Sequence, residues 1–269
     1  MRFHFDHLVH FVNSPEETVK HLRCLGLHAV LGGEHEQWGT YNALCYFDLS
    51  YIEFLGVNKP DVARQVTDND LIRQAAATLP ASEGFARIAL RTDAIEEAAE
   101  WMRKQGLAVT GPFAGSRKRQ DGSVVRWSMF FVREEGANGL HLPFVIQWGQ
   151  PDEERKKDLQ SRNVIFPHPA GPLAVAAVFF AVRDAEGAAE KWSRWFRLQR
   201  SGGYVDPDLQ AQCVALELPG GNLVFCSPHG PGMVTEQLEN RGEGPFLIRL
   251  TGSREKGIRP IRGGFYQFV

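Results

Sequence analysis

The chain reads as an α+β protein built from tandem βαβββ modules with curved mixed sheets. Three observations carry that expectation. A β-type run, Phe5-Asp6-His7-Leu8-Val9-His10-Phe11-Val12, passes at once into a helix start at Ser14-Pro15-Glu16-Glu17, and strand-like runs follow. The same grammar returns near Phe85, with the helix-ending glycines Gly26 and Gly106 separated by the 80 positions that also separate Phe5 from Phe85. It returns again near Val175. Self-similarity at a fixed offset marks repeated structural units.

In the first module, alternation places Phe5, His7, Val9 and Phe11 on one face of the opening strand and Asp6, Leu8, His10 and Val12 on the other. Val19, Leu22 and Leu25 give Pro15 to Leu25 a helical spacing, with Ser14 as N-cap, Pro15 at the first helical position, Glu17 at the capping-box place and Gly26 as C-cap. A short strand over 28–31, a Gly32-Gly33 turn and a polar loop, Glu34-His35-Glu36-Gln37, come next. Strands over 40–47 and 51–55 close the module. Residues 58–79 read as a polar, helix-prone connector.

The second module runs from a strand over 85–91 through a helix over 93–105 to strands over 124–133 and 142–148. A long polar loop, Ser116-Arg117-Lys118-Arg119-Gln120-Asp121-Gly122, lies within it. By the offset, Arg87 takes the place of His7 and Gln147 that of Glu53. Residues 149–172, charged and then rich in proline and glycine, form the best domain boundary. The expected organisation is therefore 1–150, with modules over 1–57 and 84–150, a linker over 151–171, and 172–269. The third module places Ala177 at the His7 position and Phe225 near the Glu53 position, where neither can bind metal. The tail, with strand-like pieces over 245–250 and 264–269, reads as a degenerate fourth module without a visible helix. These last units either complete a second, inert barrel or make a contact in a homodimer.

At 269 residues, with 30 basic and 32 acidic side chains and a net charge of -2, the chain has the composition of a globular protein and no basic field for nucleic acid. No apolar run has the length of a membrane span, and His4, Asp6 and His7 fall where a signal peptide would be apolar. Cys24, Cys45, Cys213 and Cys226 are scattered without a CxxC pair, which points to reduced, mostly buried thiols in a cytoplasmic protein.

His7 and Glu53 both sit mid-strand, where a buried imidazole or carboxylate needs a partner. His35, in its loop, is either an acid or base overhanging the site or a solvated histidine. His10 faces away from His7 and reads as a helix-packed core residue; His141 and His168 lie in loops. Arg117, Lys118, Arg119 and Arg126 can form a carboxylate- or phosphate-binding cluster, or a solvated hairpin with Asp121-Gly122 at its tip, and the two readings agree if Arg117 points inward. Trp127, Phe144 and Trp148 read as sheet core, with one of them free to line a pocket.

The opening strand, Trp38-Gly39-Thr40-Tyr41-Asn42 and Tyr51-Ile52-Glu53 together resemble the vicinal oxygen chelate superfamily, and within it the branch of glyoxalase-like domain proteins. Ser116 to Gly122 with Arg126-Trp127, Pro143-Phe144-Val145-Ile146-Gln147-Trp148, and His168-Pro169 resemble the same branch. The resemblance implies paired modules that close into a cup around a small-molecule ligand, as in the glyoxalase, bleomycin-resistance and dioxygenase-like folds. It implies one divalent metal (Zn, Mn, Fe, Ni or Mg) on His7, Glu53 and Gln147, Glu53 and His35 in catalysis, and Arg87, Arg117, Trp38, Thr40, Asn42, Arg126 and Trp127 at the substrate. Arg87 replaces a metal ligand and would repel a cation, or pair with Glu53 in its stead. Two functions follow. One is a metal-dependent lyase, isomerase or dioxygenase acting on a small polar or anionic metabolite. The other is a metal-free small-molecule binding or sequestering protein.

Overall fold

In the computed structural model, which describes residues 1–119, 122–136 and 139–269, the repeated strand and helix form at the expected offset. The first module comprises β1 (His4–Phe11), α1 (Pro15–Cys24), β2 (Val30–His35), β3 (Thr40–Phe47) and β4 (Ser50–Val57). Two connector helices, α2 (Pro60–Gln65) and α3 (Asp70–Thr78), lead to β5 (Gly84–Arg91), α4 (Ile95–Lys104), β6 (Ala108–Lys118), β7 (Val124–Arg133) and β8 (Phe144–Trp148). Then come α5 (Asp152–Ser161), β9 (Ala174–Ala181), α6 (Ala185–Phe196), the short β10 (Gln199–Arg200) and β11 (Tyr204–Asp206), β12 (Ala211–Glu217) and β13 (Asn222–Pro228). The chain finishes with α7 (Met233–Arg241), β14 (Gly244–Thr251), β15 (Gly257–Ile261) and β16 (Gly264–Phe268).

Local chemistry explains the helix starts. Ser14 Oγ accepts from the Glu17 amide at 3.2 Å, Pro15 opens α1, and Gly26 takes a positive φ of 74° just beyond it. Glu17 does not complete a capping box: its carboxylate accepts from Lys20 Nζ at 2.7 Å.

The first two modules join edge to edge. β1 pairs antiparallel with β5, β2 meets β6 at Glu34 and Lys118, and the eight strands close into a barrel of order β1-β4-β3-β2-β6-β7-β8-β5. The last units do not close a second barrel. Their order, β10-β12-β13-β9-β14-β16-β15, stays open because the turn between β14 and β15 holds neither the helix nor the strand that follow β5 in the complete second module. In this copy the residue paired like Glu53 is Val224, opposite Phe179, and Phe225 faces the other side of the sheet.

Each end of the barrel is plugged by a segment whose sequence reads as polar. At one end Ala63 of α2 and Leu71, Ile72 and Ala75 of α3 pack on Val9, Phe11 and Leu55. At the other, α5, expected as linker, buries only Arg155 and Leu159, one turn apart, against Tyr46, Tyr51 and Trp148. Outside the barrel, Leu8, Phe54 and Ile88 share one apolar cluster with Phe180, Trp192 and Phe225 of the second sheet. Among the described residues, no helix is long and apolar enough to cross a membrane.

Candidate active site

Strict alternation fails at Asp6, and that failure builds the site. The β1–β5 register slips between Phe5 and His7, a bulge that brings the adjacent side chains of Asp6 and His7 to the same side. His7 Nδ1 lies 2.6 Å from Asp6 Oδ1, and its ring stacks on Tyr51 with centroids 4.5 Å apart. The other nitrogen, Nε2, faces Glu53 Oε2 at 3.5 Å. Asp6 Oδ2 accepts from Trp148 Nε1 at 2.9 Å. Burial alone would raise the Asp6 pKa. Arg155, the hydrogen bond from His7 and Arg91 outweigh it and hold the group at about 2, so it is ionised at neutral pH.

A second chain of contacts enters from the opposite wall. Asn42 Nδ2 donates to Glu53 Oε1 at 2.5 Å, and Arg117 Nη1 donates to Asn42 Oδ1 at 3.0 Å. Gly32 makes room for it. Rather than turning, Gly32-Gly33 continue through β2 with a register shift beside them, and a Cβ on Gly32 would strike Asn42 Oδ1 and approach Arg117 Nη1 to 2.8 Å. The Asn42 amide is buried and held at both ends, so it cannot swing aside freely. Gly32→Ala is expected to cost about 1–3 kcal/mol of stability, read as a lower denaturation midpoint with an unchanged slope. A midpoint equal to that of the unmodified chain would contradict the crowding.

His7, Tyr51, Glu53, Asn42 and Arg117 line one cavity, together with His35, Trp38, Asn69, Trp127 and Phe144 among others. His35, expected in a polar loop as either an overhanging acid or base or a solvated histidine, is only 5% exposed and ends β2. Its Nδ1 lies 3.0 Å from Thr40 Oγ1, and burial, with a smaller push from Arg117 against the pull of Glu53, lowers its pKa to about 4. At neutral pH it is an uncharged hydrogen-bonding group. Trp127 and Trp148 both reach the cavity, with rings 5.7 Å apart, and Phe144 joins them. Asn69 has no counterpart in the sequence reading. It is the N-cap of α3, and the Asn-Asp start before Leu71-Ile72 signals a cap rather than a wall residue.

Other expected site residues lie elsewhere. Arg87 donates to Gln74 Oε1 at 2.9 Å and lies 3.1 Å from His141 Nδ1, rather than pairing with Glu53. Gln147 Oε1 accepts from the Ile95 amide at 2.9 Å and caps α4 from outside the barrel. The register explains why. Val9 pairs with Glu53 and its repeat Ala89 pairs with Phe144, so Phe144 holds the Glu53 position and Gln147, three residues on, faces outward. Arg126 is exposed, and Arg119 pairs with Asp158 at 2.8 Å. Arg117 does point inward; Gln120 and Asp121 of the hairpin tip fall outside the described residues. His10 packs on Tyr266 and Arg262 of the second sheet, not on a helix. His168 bridges the His28 amide and the Tyr46 carbonyl, each at 2.9 Å.

The donor set does not fit a divalent metal. A catalytic zinc ordinarily has three protein ligands. Here the cup offers His7 Nε2 and Glu53, Phe144 stands at the matching position of the second module, and Asn42 Oδ1 is taken by a guanidinium. Among the described residues, no three His, Cys, Asp or Glu side chains gather to hold a metal ion.

A family model described as a glyoxalase-like domain matches residues 5–196. No curated protein matches the chain. Among solved structures, a hypothetical protein from Staphylococcus aureus is similar over 99% of this chain and 99% of its own, at a TM-score of 0.80 and 19% identity. A triple mutant of 4-hydroxymandelate synthase from Streptomyces coelicolor is similar over 93% of this chain and 71% of its own, at a TM-score of 0.59 and 11% identity. At these identities the likeness is one of fold.

Proposed function

We propose, for a chain that belongs to the glyoxalase-like domain family, that the closed barrel binds one small, largely aromatic molecule without the help of a metal. One observation supports this above all: the cavity wall is made of flat apolar surfaces, Trp38, Trp127, Trp148 and Phe144, around a short row of polar groups. That mixture is what orients a compact ligand.

A second reading, proton abstraction from the bound molecule, draws on the Asp6–His7 contact. Ionised Asp6 accepts the hydrogen bond of His7 Nδ1–H, which leaves Nε2 as the lone-pair acceptor. Asp6 behind the ring fixes its orientation, and Glu53 Oε2 lies 3.5 Å from the nitrogen that would receive the abstracted proton.

Titration of chelator-treated protein with 2-naphthol, followed through tryptophan fluorescence, tests the binding reading. The expected result is one site per chain, with the same affinity after Zn²⁺ or Mn²⁺ is added. Binding that appears only with the metal present would overturn it.

A further inference from the structure

We infer that the ligand of this cup carries a carboxylate on its aromatic body, received by Arg117 and Asn69. This rests on the binding reading above and names the chemical class that the cup selects. Two buried donors carry the argument. Asn69 is fully buried, and its Oδ1 is spent on α3, accepting from the Leu71 and Ile72 amides at 3.1 and 3.2 Å. Its Nδ2 is buried without a hydrogen-bond partner, on a side chain that lines the cavity. Arg117 lines the same cavity; its Nη1 donates to a neutral amide, and its Nε is likewise buried without a partner.

A buried donor left unpaired is costly, so both groups call for acceptors. The wall does not supply them. Glu53 is reached only through Asn42, and its second oxygen is turned to His7. The indole donors make no competing demand, because Trp127 Nε1 points to Met129 Sδ at 3.3 Å and Trp148 Nε1 donates to Asp6. Uncharged His35 adds no positive charge. What the cup lacks is an oxygen-rich acceptor with a charge to match a guanidinium. A carboxylate offers two oxygens in the plane that a guanidinium edge recognises, whereas a ketone or alcohol offers one oxygen and no charge. The aromatic walls then receive the ring.

Wild-type protein is titrated with 2-naphthoate and with 2-methylnaphthalene, which keep the same rings and differ in the carboxylate. The carboxylate is expected to bind about tenfold or more tightly than the hydrocarbon. Asn69→Asp keeps the capping oxygen but replaces the donor by an acceptor, and Arg117→Met removes the guanidinium. Each is expected to lose about tenfold in affinity for 2-naphthoate and to keep that for 2-methylnaphthalene. Thermal unfolding of each variant verifies that it remains folded, and the wild-type comparison stands without either. Equal affinity for the two probes, or an undiminished affinity of both folded variants for the carboxylate, overturns the inference and leaves the binding cup intact. Failure of both probes to bind overturns the cup as well.

Discussion

Replacing Asp6 by alanine is expected to lower the free energy of unfolding by about 3–5 kcal/mol, because it leaves a buried arginine without its charge partner. Asp6 is fully buried, 3.8 Å from Arg155 and 3.6 Å from Arg91. Arg91 keeps Asp152 at 2.8 Å after the substitution. Arg155 does not have that recourse: it is 4% exposed, lies over the Trp148 ring at 4.2 Å, and among the described residues its remaining side-chain polar contact is the Tyr46 hydroxyl at 3.4 Å. The loss should therefore fall on the barrel end that α5 closes. The pKa gives a second handle. Asp6 is depressed from 3.8 to about 2, so its contribution is complete above pH 4 and disappears as the pH falls through 2. That shift corresponds to about 2.5 kcal/mol, less than the alanine effect because truncation also strands Arg155. Denaturant unfolding of Asp6→Ala, with and without Arg155→Met, reads both parts. The double variant should recover some of the loss. A single variant within about 1 kcal/mol of wild type would remove the cluster from the account of stability.

Much of this architecture is legible in the sequence. Strand and helix of the first module recur after 80 residues with identical lengths, from His4–Phe11 to Gly84–Arg91 and from Pro15–Cys24 to Ile95–Lys104. His7, Asn42, Glu53, Trp38, Trp127 and Arg117 do come together in one cavity. What the sequence hides is register. A bulge reverses the facing of Asp6, and nothing in Phe5-Asp6-His7 announces it. Gly32-Gly33 has the composition of a turn, yet it is strand backbone kept bare for the Asn42–Arg117 contact. Gln147 occupies the expected distance along the chain but the wrong parity, because the connection before β8 sets which residues pair with Ala89. The plugs escape notice for another reason. A helix that closes a barrel end needs only a few apolar side chains, as in Leu71, Ile72 and Ala75, and its other faces remain polar.

The contact between the barrel and the second sheet should weaken steeply with acid, and His10 accounts for the largest single step. It is fully buried, with Nδ1 2.8 Å from the Tyr266 hydroxyl and Nε2 2.8 Å from the Arg262 carbonyl. A carbonyl can only accept, so Nε2 carries the proton and Nδ1 accepts from Tyr266. Protonation would set Nδ1 as a donor too and break that arrangement. Burial lowers the His10 pKa to about 4 against the upward pull of the Arg262 carbonyl, and the charges of Arg241 and Arg262 add smaller pushes downward. The unfolded chain, with its histidine near 6.5, therefore binds more protons than the folded one between pH 6.5 and 4. Stability is complete above that window and falls as acid is added, by about 3 kcal/mol across it from His10 alone. Buried His35, lowered likewise to about 4, adds in the same direction from within the cup. Unfolding free energies measured from pH 7 down to 4.5 should show the wild-type chain losing several kcal/mol. His10→Gln, which offers a donor and an acceptor but does not titrate, should start lower and fall less steeply. Parallel profiles would mean that the acid sensitivity arises elsewhere, and that the seam between barrel and sheet does not depend on a neutral histidine.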